Sequence, residues 1–339
     1  MASMIEKQKT LPETARALIF DPATTTFTLK SSHPLPVSDA SKNEHVIKVS
    51  TTALCARELT WAVLFPDPMF AENPSKLIIP GYDLAGTVVT SFPGSPFKPG
   101  DEIFARTRPS RQGNCRDYTL ARTEEMALKP KDMGWVDAAS VPLSALTAWQ
   151  MLFDKAGVNG LNDSASKGKR VLVTAAAGGV GTWLVQLAKL AGLHVIAQIG
   201  SAENDEFVRQ LGADETVNYK KLDLKEWSTQ QGQVDIVLDL LGGRTLEECW
   251  YCVRDGGALI SISEPPEGRK PKHTEKDVKN LFFIMEPDGK QLAEISKLLE
   301  EKACRPIVDS EERLEEYEKA FKRSDGGHTK GKVVIKIAE

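Results

Sequence analysis

Cysteine is scarce and odd in number, five thiols in 339 residues. A secreted disulfide framework wants an even set in a shorter chain, so a reducing compartment is expected. The opening MASMIEKQKT carries charge where a secretory signal needs an apolar core, which gives the expectation of a cytoplasmic protein. Long apolar runs are lacking too. The longest uncharged stretch, Val171 to Ala188, is eighteen residues and only touches the lower limit for a membrane span. Three glycines, Thr174, Thr182 and Gln186 interrupt it, so it reads as a buried strand, a tight turn and a buried helix. Neither sign of charge dominates: 43 basic against 47 acidic side chains leave a net charge of -4, with no basic tract or arm. Nucleic acid and an anionic membrane are thereby excluded as implied partners, and a small molecule remains. Internal repeats and low-complexity segments are also missing.

What is present is an ordinary globular composition, 41% hydrophobic and 27% charged, in a chain long enough for two domains with separate cores. The first 135 or so residues carry short apolar alternations separated by Pro and Gly, as in RALIF, HVIKVS, DEIFAR and YTLAR, and predict a mostly β domain. VDAASVPLSALTAWQML, at 136–152, predicts helices leading out of it, and the Gly-, Asn- and Ser-rich 157–169 marks a joint. Apolar strands then start at 171, 194, 215, 234 and 258, a spacing of 19 to 24 residues that belongs to βα units and predicts a parallel, doubly wound sheet. In the last fifty residues KQLAEISKLLEE reads as helix and RPIVDS as extended. ERLEEYEKAF reads as an amphipathic helix with Glu311, Glu312, Glu315, Glu316 and Glu318 as a solvated face, and KVVIKI as a final strand.

The chemistry-bearing motif is VLVTAAAGGVGTWLVQLAKLAG. It sets Ala175-x-x-Gly178-x-x-Gly181 between a strand and a helix, the dinucleotide fingerprint with its first glycine replaced by alanine. Small residues there let a pyrophosphate approach backbone amides at the helix N-terminus. The next strand, HVIAQIG, ends without the acid that would hold the ribose 2'-hydroxyl of NAD, and Ser201 follows; this favours NADPH. NADH stays open, because Glu203, Asp205 and Glu206 come next and no Lys or Arg precedes Arg209. Ser201 is equally readable as a helix cap.

Several residues look chemically tempting. Cys55, three residues before Glu58, reads as a zinc ligand or a buried thiol. Cys249-Trp-Tyr-Cys252 has CxxC spacing but falls inside a predicted helix, where packing is the expectation. His194 opens a strand and is expected to be structural.

Taken in order, IPGYDLAGTVV, FKPGDEIFA, AASVPLSALTAWQML, VLVTAAAGGVG, LGADETVNY, VDIVLDLLGG and TKGKVVIKI resemble the medium-chain dehydrogenase/reductase superfamily, and within it the zinc-free quinone oxidoreductase and enoyl reductase branch. The resemblance runs from about Ala15 to Ile337. It implies an α/β chain with a GroES-like, mostly β substrate domain at 1–140 and 285–339 and a Rossmann domain, a doubly wound parallel sheet, at 141–284. Zinc-dependent members match Cys55 but place a histidine where this chain has Tyr82, before Asp83, and a third ligand near Pro142 and Leu143; one thiol cannot hold a catalytic zinc, so no metal is expected. The structural zinc lobe is missing as well, since only Cys115 falls between Thr87 and Ser140.

The implied activity is NAD(P)H-dependent hydride delivery to an enone, an enoyl thioester or a quinone, as in the tailoring enoyl reductases of biosynthetic pathways. Alternatives are an alcohol dehydrogenase and a dinucleotide-binding protein with a structural or regulatory role. Where enoyl reductases of the family carry a tyrosine, this chain has Thr60, a hydrogen-bond donor at most; Tyr82 is the second catalytic candidate. Trp61, Phe65, Pro66 and Phe70 are candidates to wall a pocket for an apolar or aromatic electrophile. Cofactor contacts implied by the resemblance are Thr147 near the nicotinamide and Ala177, Gly178, Gly179, Val180 and Gly181 at the pyrophosphate. Ser201 and Tyr219 fall around the adenosine, with Leu241, Gly242, Ser261, Ile262, Ser263 and Lys332 completing the set. Dimers are common in the branch, which makes a homodimer one of the assemblies open to the chain, through an exposed fifth strand or its neighbour.

Overall fold

Two large sheets and a two-stranded antiparallel one, made by the first two strands, organise the computed structural model, which describes residues 11–61, 77–161 and 164–338. Phe65, Pro66 and Phe70 lie outside the described residues. The early alternations form β1 (Thr14–Asp21), β2 (Thr26–Pro34), β3 (Glu44–Leu54), β4 (Asp83–Thr90), β5 (Glu102–Arg106), β6 (Tyr118–Arg122) and β7 (Met126–Leu128). Helices α1 (Trp135–Ala139) and α2 (Pro142–Trp149) lead out of them. Next come β8 (Arg170–Val173), α3 (Gly179–Leu190), β9 (His194–Ile199), α4 (Ala202–Gln210), β10 (Glu215–Asn218), α5 (Leu224–Gln231), β11 (Val234–Asp239), α6 (Gly243–Cys252), β12 (Val253–Ser261) and β13 (Lys279–Phe282). The chain closes with α7 (Gly289–Glu300), β14 (Val308–Arg313), α8 (Tyr317–Asp325) and β15 (Lys332–Lys336).

Strands β8 to β13 make one parallel sheet in the order β10-β9-β8-β11-β12-β13. Parallel neighbours need helical crossovers, and helices on both faces leave Val171, Leu172 and Val173 of β8 without solvent exposure. The order reverses at β8, flanked by β9 and β11, so a crevice opens beyond the carboxyl ends of those strands. The other large sheet runs β14-β15-β3-β4-β5-β7, with β6 also pairing β3. Its strand β15 lies antiparallel to β3, with Val333 opposite Leu54. The chain is therefore α/β, with a GroES-like β domain completed by the C-terminal tail and a Rossmann-like parallel sheet. One apolar cluster joins them, from Ala53, Ala85 and Phe104 through Leu146 to Trp183 and Leu238.

Two local expectations are corrected. The fifth parallel strand begins at Val253 and is not an edge, because the four-residue β13 covers it. The last helix begins only at Tyr317, so Glu311 and Glu312 belong to β14, paired with Val334 and Ile335 of β15. Strand pairing overrides the helical acid pattern there, and Glu312 is buried against Lys319 at 2.7 Å instead of solvated.

Candidate active site

The glycine turn follows β8. Ala175 takes φ of +46°, a left-handed conformation that suits glycine, at the position where the fingerprint has one. Gly181 cannot be replaced freely: a Cβ there would lie 2.4 Å from the carbonyl oxygen of Ala175 and 2.7 Å from Cα of Ala176, which is how close α3 packs on the strand. At the start of α3, Gly179 faces Ser144, whose Oγ would be 2.9 Å from an added Cβ. That hydroxyl is buried and has no partner among the described residues. Unpaired amides of a first helical turn, an orphan hydroxyl and a cradle that a side chain would fill are what a diphosphate requires, so the turn fits a dinucleotide.

The crevice floor is fixed by a carboxylate that the sequence reading passed over. Asp239, at the end of β11, accepts from Thr174 Oγ1 at 3.2 Å, from Ser261 Oγ at 2.9 Å and from the backbone of Leu241 and Gly242 at 3.2 and 2.9 Å. Burial pushes its pKa up, and these donors oppose the shift. The carboxylate ties together the ends of β8, β11 and β12. Ser261 is thus fully buried and engaged internally, as is Thr147, which donates to the carbonyl of Leu143 at 2.7 Å. Leu241, Ile262 and Ser263 line the lip with Leu241 half exposed, and Gly242 needs its φ of +73° to pass under Ser263. At the second strand Ser201 caps α4 by accepting from Asn204 N, while Tyr219 lies over Gly200, whose added Cβ would be 2.6 Å from its hydroxyl.

The tail passes over this turn. Gly331 donates to the carbonyl of Ala177 at 3.2 Å and forms an isolated bridge with Gly178. The next residue enters the substrate side: Lys332 Nζ lies 3.1 Å from an oxygen of Asp83 and 3.4 Å from Sγ of Cys55. The other oxygen of Asp83 accepts from Leu143 N at 2.8 Å. Burial opposes the Lys332 charge, but Cys55 and Asp83 outweigh it and hold the ammonium protonated. Glu58, fully enclosed, accepts from the backbone of Cys55 and Gly81, both at 2.7 Å, and burial raises its carboxyl to about 7.

The two catalytic candidates sit in different surroundings. Thr60 is exposed and donates to the carbonyl of Arg57 at 2.8 Å. Tyr82 is 3% exposed, stacked on Trp61 with ring centres 5.9 Å apart, under the Arg106 guanidinium at 5.3 Å, and burial pushes its hydroxyl pKa up. His194 bonds Glu215 at 2.7 Å. Cys249 and Cys252 are buried on α6, and burial pushes the Cys252 thiol to about 12, far from a redox thiolate. Among the described residues no three His, Cys, Asp or Glu side chains converge as a metal site, and beside Cys55 an ammonium stands where further ligands would have to be. The donors among the described residues do not make the three-ligand set of a catalytic zinc.

A parallel sheet with a glycine turn at its switch point, facing a β domain across a charged cleft, is the architecture of a two-domain nicotinamide-dependent oxidoreductase. Residues 41–152 match the alcohol dehydrogenase GroES-like domain and residues 211–335 the zinc-binding dehydrogenase domain. The chain belongs to the medium-chain dehydrogenase/reductase superfamily. It is 44% identical over 96% of its length, and 98% of the relative's, to a probable zinc-binding oxidoreductase, mitochondrial, of Arthroderma benhamiae. It is 32% identical to a chloroplast envelope quinone oxidoreductase homolog of Arabidopsis thaliana, covering 89% and 92% of the two chains. Among solved structures, the quinone oxidoreductase from Coxiella burnetii superposes with a TM-score of 0.79 at 26% identity, covering 95% of this chain and 99% of the other. The cytoplasmic expectation is corrected here: the Arthroderma relative is named mitochondrial, and so is a human NAD(P)H oxidoreductase 31% identical over 76% of this chain, which points to the mitochondrion.

Proposed function

We propose that this protein uses NADPH to reduce an activated carbon–carbon double bond or a quinone, without a metal. The observation that supports this reading is the Lys332 ammonium, held by Asp83 beside Cys55. When bound, the reduced nicotinamide supplies the hydride. Hydride addition to the electron-poor carbon of an enone or quinone pushes an electron pair onto a carbonyl oxygen, and a fixed positive charge in a dry cleft favours that build-up. Alcohol oxidation, by contrast, draws on a Lewis acid that these donors do not hold. The amides at Gly179–Gly181 and the Ser144 hydroxyl bind the diphosphate, and Asp239 keeps the strand ends in register beneath it. Thr60 donates to the Arg57 carbonyl and the Tyr82 ring is buried in its stack with Trp61, so the closing proton is assigned to water.

The test is absorbance-monitored oxidation of NADPH and NADH by purified protein, before and after chelation, against enones, enoyl thioesters and quinones. Turnover that survives chelation and falls at least tenfold in Lys332→Met is expected. Activity that leaves with the metal, or Lys332→Met turning over at the wild-type rate, would refute the reading.

A further inference from the structure

The sequence leaves the ribose end of the dinucleotide without a cation, and the fold brings one from the far end of the chain. Lys330 pairs with Glu203 in the first turn of α4, two residues beyond the Ser201 cap. Its backbone donates to Asp309 at 2.8 Å, and its ammonium sits 5.7 Å from the centre of the Phe207 ring. The next residue, Gly331, is bonded to the glycine turn through Ala177. The tail therefore runs from the diphosphate position to the end of β9, the same course that the linked nucleotide must follow.

We infer that Lys330 is the residue that selects NADPH, by binding its 2'-phosphate together with Ser201 and Tyr219, and that Glu203 holds the ammonium in place until the phosphate arrives. This rests on the dinucleotide reading above and goes beyond it by assigning the selectivity. Arg209, the nearest arginine in sequence, is committed to Asp205 at 2.7 Å, to the Asp214 carbonyl at 2.9 Å and to Thr216 at 3.1 Å. Lys220 follows Tyr219 and is exposed, so it is the rival cation and the control. The Lys330 side chain is one-third exposed and that of Glu203 four-fifths, so their ion pair is weak and exchangeable. A phosphate with about two negative charges and three acceptor oxygens displaces such a carboxylate. The same Glu203 would repel the phosphate if Lys330 were absent.

Binding of NADPH and NADH to the full-length protein, read by nicotinamide fluorescence, tests the assignment, with adenosine 2',5'-bisphosphate and 5'-AMP as competing probes. Lys330→Ala is expected to weaken NADPH about tenfold, the size of one charge-assisted contact, and to leave NADH within about twofold. Lys330→Arg should keep the preference, Glu203→Ala should tighten NADPH, and Lys220→Ala should change neither ligand. Equal loss of both cofactors in Lys330→Ala, a preference carried by Lys220, or a loss of NADH in Glu203→Ala would each overturn the assignment, the last by making Glu203 the ribose ligand of an NADH enzyme. A wild-type protein that binds neither dinucleotide refutes the dinucleotide reading itself, a result distinct from all of these.

Discussion

Lys332 and Asp83 meet at 3.1 Å in a cleft where both are almost fully buried, at 5% and 1% exposure. Each charge is tolerated only because of the other. Removing one partner of such a pair costs about 3–5 kcal/mol, whereas removing both together can be nearly neutral. Lys332→Met should therefore lower stability to urea by about 3 kcal/mol, and adding Asp83→Asn should recover most of it while keeping an acceptor for Leu143 N. A double variant no more stable than the single would show that the two charges are not coupled.

Glu58 gives a pH signature. Its carboxyl is raised from 4.5 to about 7, so the folded state holds the proton more tightly than the unfolded chain. The stabilisation is complete below the unfolded value and is lost as pH rises through about 7, about 3 kcal/mol in all by linkage. Denaturation midpoints should fall across this window in the wild type and change less in Glu58→Gln. Parallel curves would mean that Glu58 does not titrate there.

Ala175 and Gly181 should respond in opposite directions. Ala175→Gly relieves a left-handed alanine and is expected to be neutral or to stabilise by up to about 1 kcal/mol, with dinucleotide binding retained. Gly181→Ala drives a methyl group into the backbone of Ala175 and Ala176, and should cost several-fold more and weaken NADPH binding. Thermal melts with and without the cofactor read both effects.

Asp239→Ala removes the acceptor for two hydroxyls and two backbone amides at once. Leaving buried donors unsatisfied costs about 1–3 kcal/mol each before relaxation, so a loss of about 3 kcal/mol and at least tenfold weaker NADPH binding are expected. Unchanged binding in a folded variant would remove the clamp from the site.

Local chemistry made much of this legible. The βα spacing and the small residues from Ala175 to Gly181 carry the Rossmann-like half because each βα unit is written contiguously in the chain. Asp239 did leave a signal, an acid closing the strand VDIVLD directly after three apolar residues, where a buried carboxylate needs donors around it. The four-residue β13 left none, since KNLF has no alternation and becomes a strand only by pairing with β12. The pairs Lys332 with Asp83 and Lys330 with Glu203 were illegible for a different reason: their members lie far apart in sequence and meet only through the returning tail. The motif marks Lys332 as a cofactor contact, and its ammonium lies beside Asp83 and Cys55 in the cleft.

That tail also sets an order of events in synthesis. The sheet that contains β3 needs β15 beside it and β14 beyond, so a ribosome must have synthesised the chain through Lys336 before β3 finds its last partner. Until then Leu54 and Ala53 present an unpaired strand edge. The contiguous parallel sheet can close first, and the returning tail then completes the cleft and brings Lys330 to Glu203 and Lys332 to Asp83 in a single step.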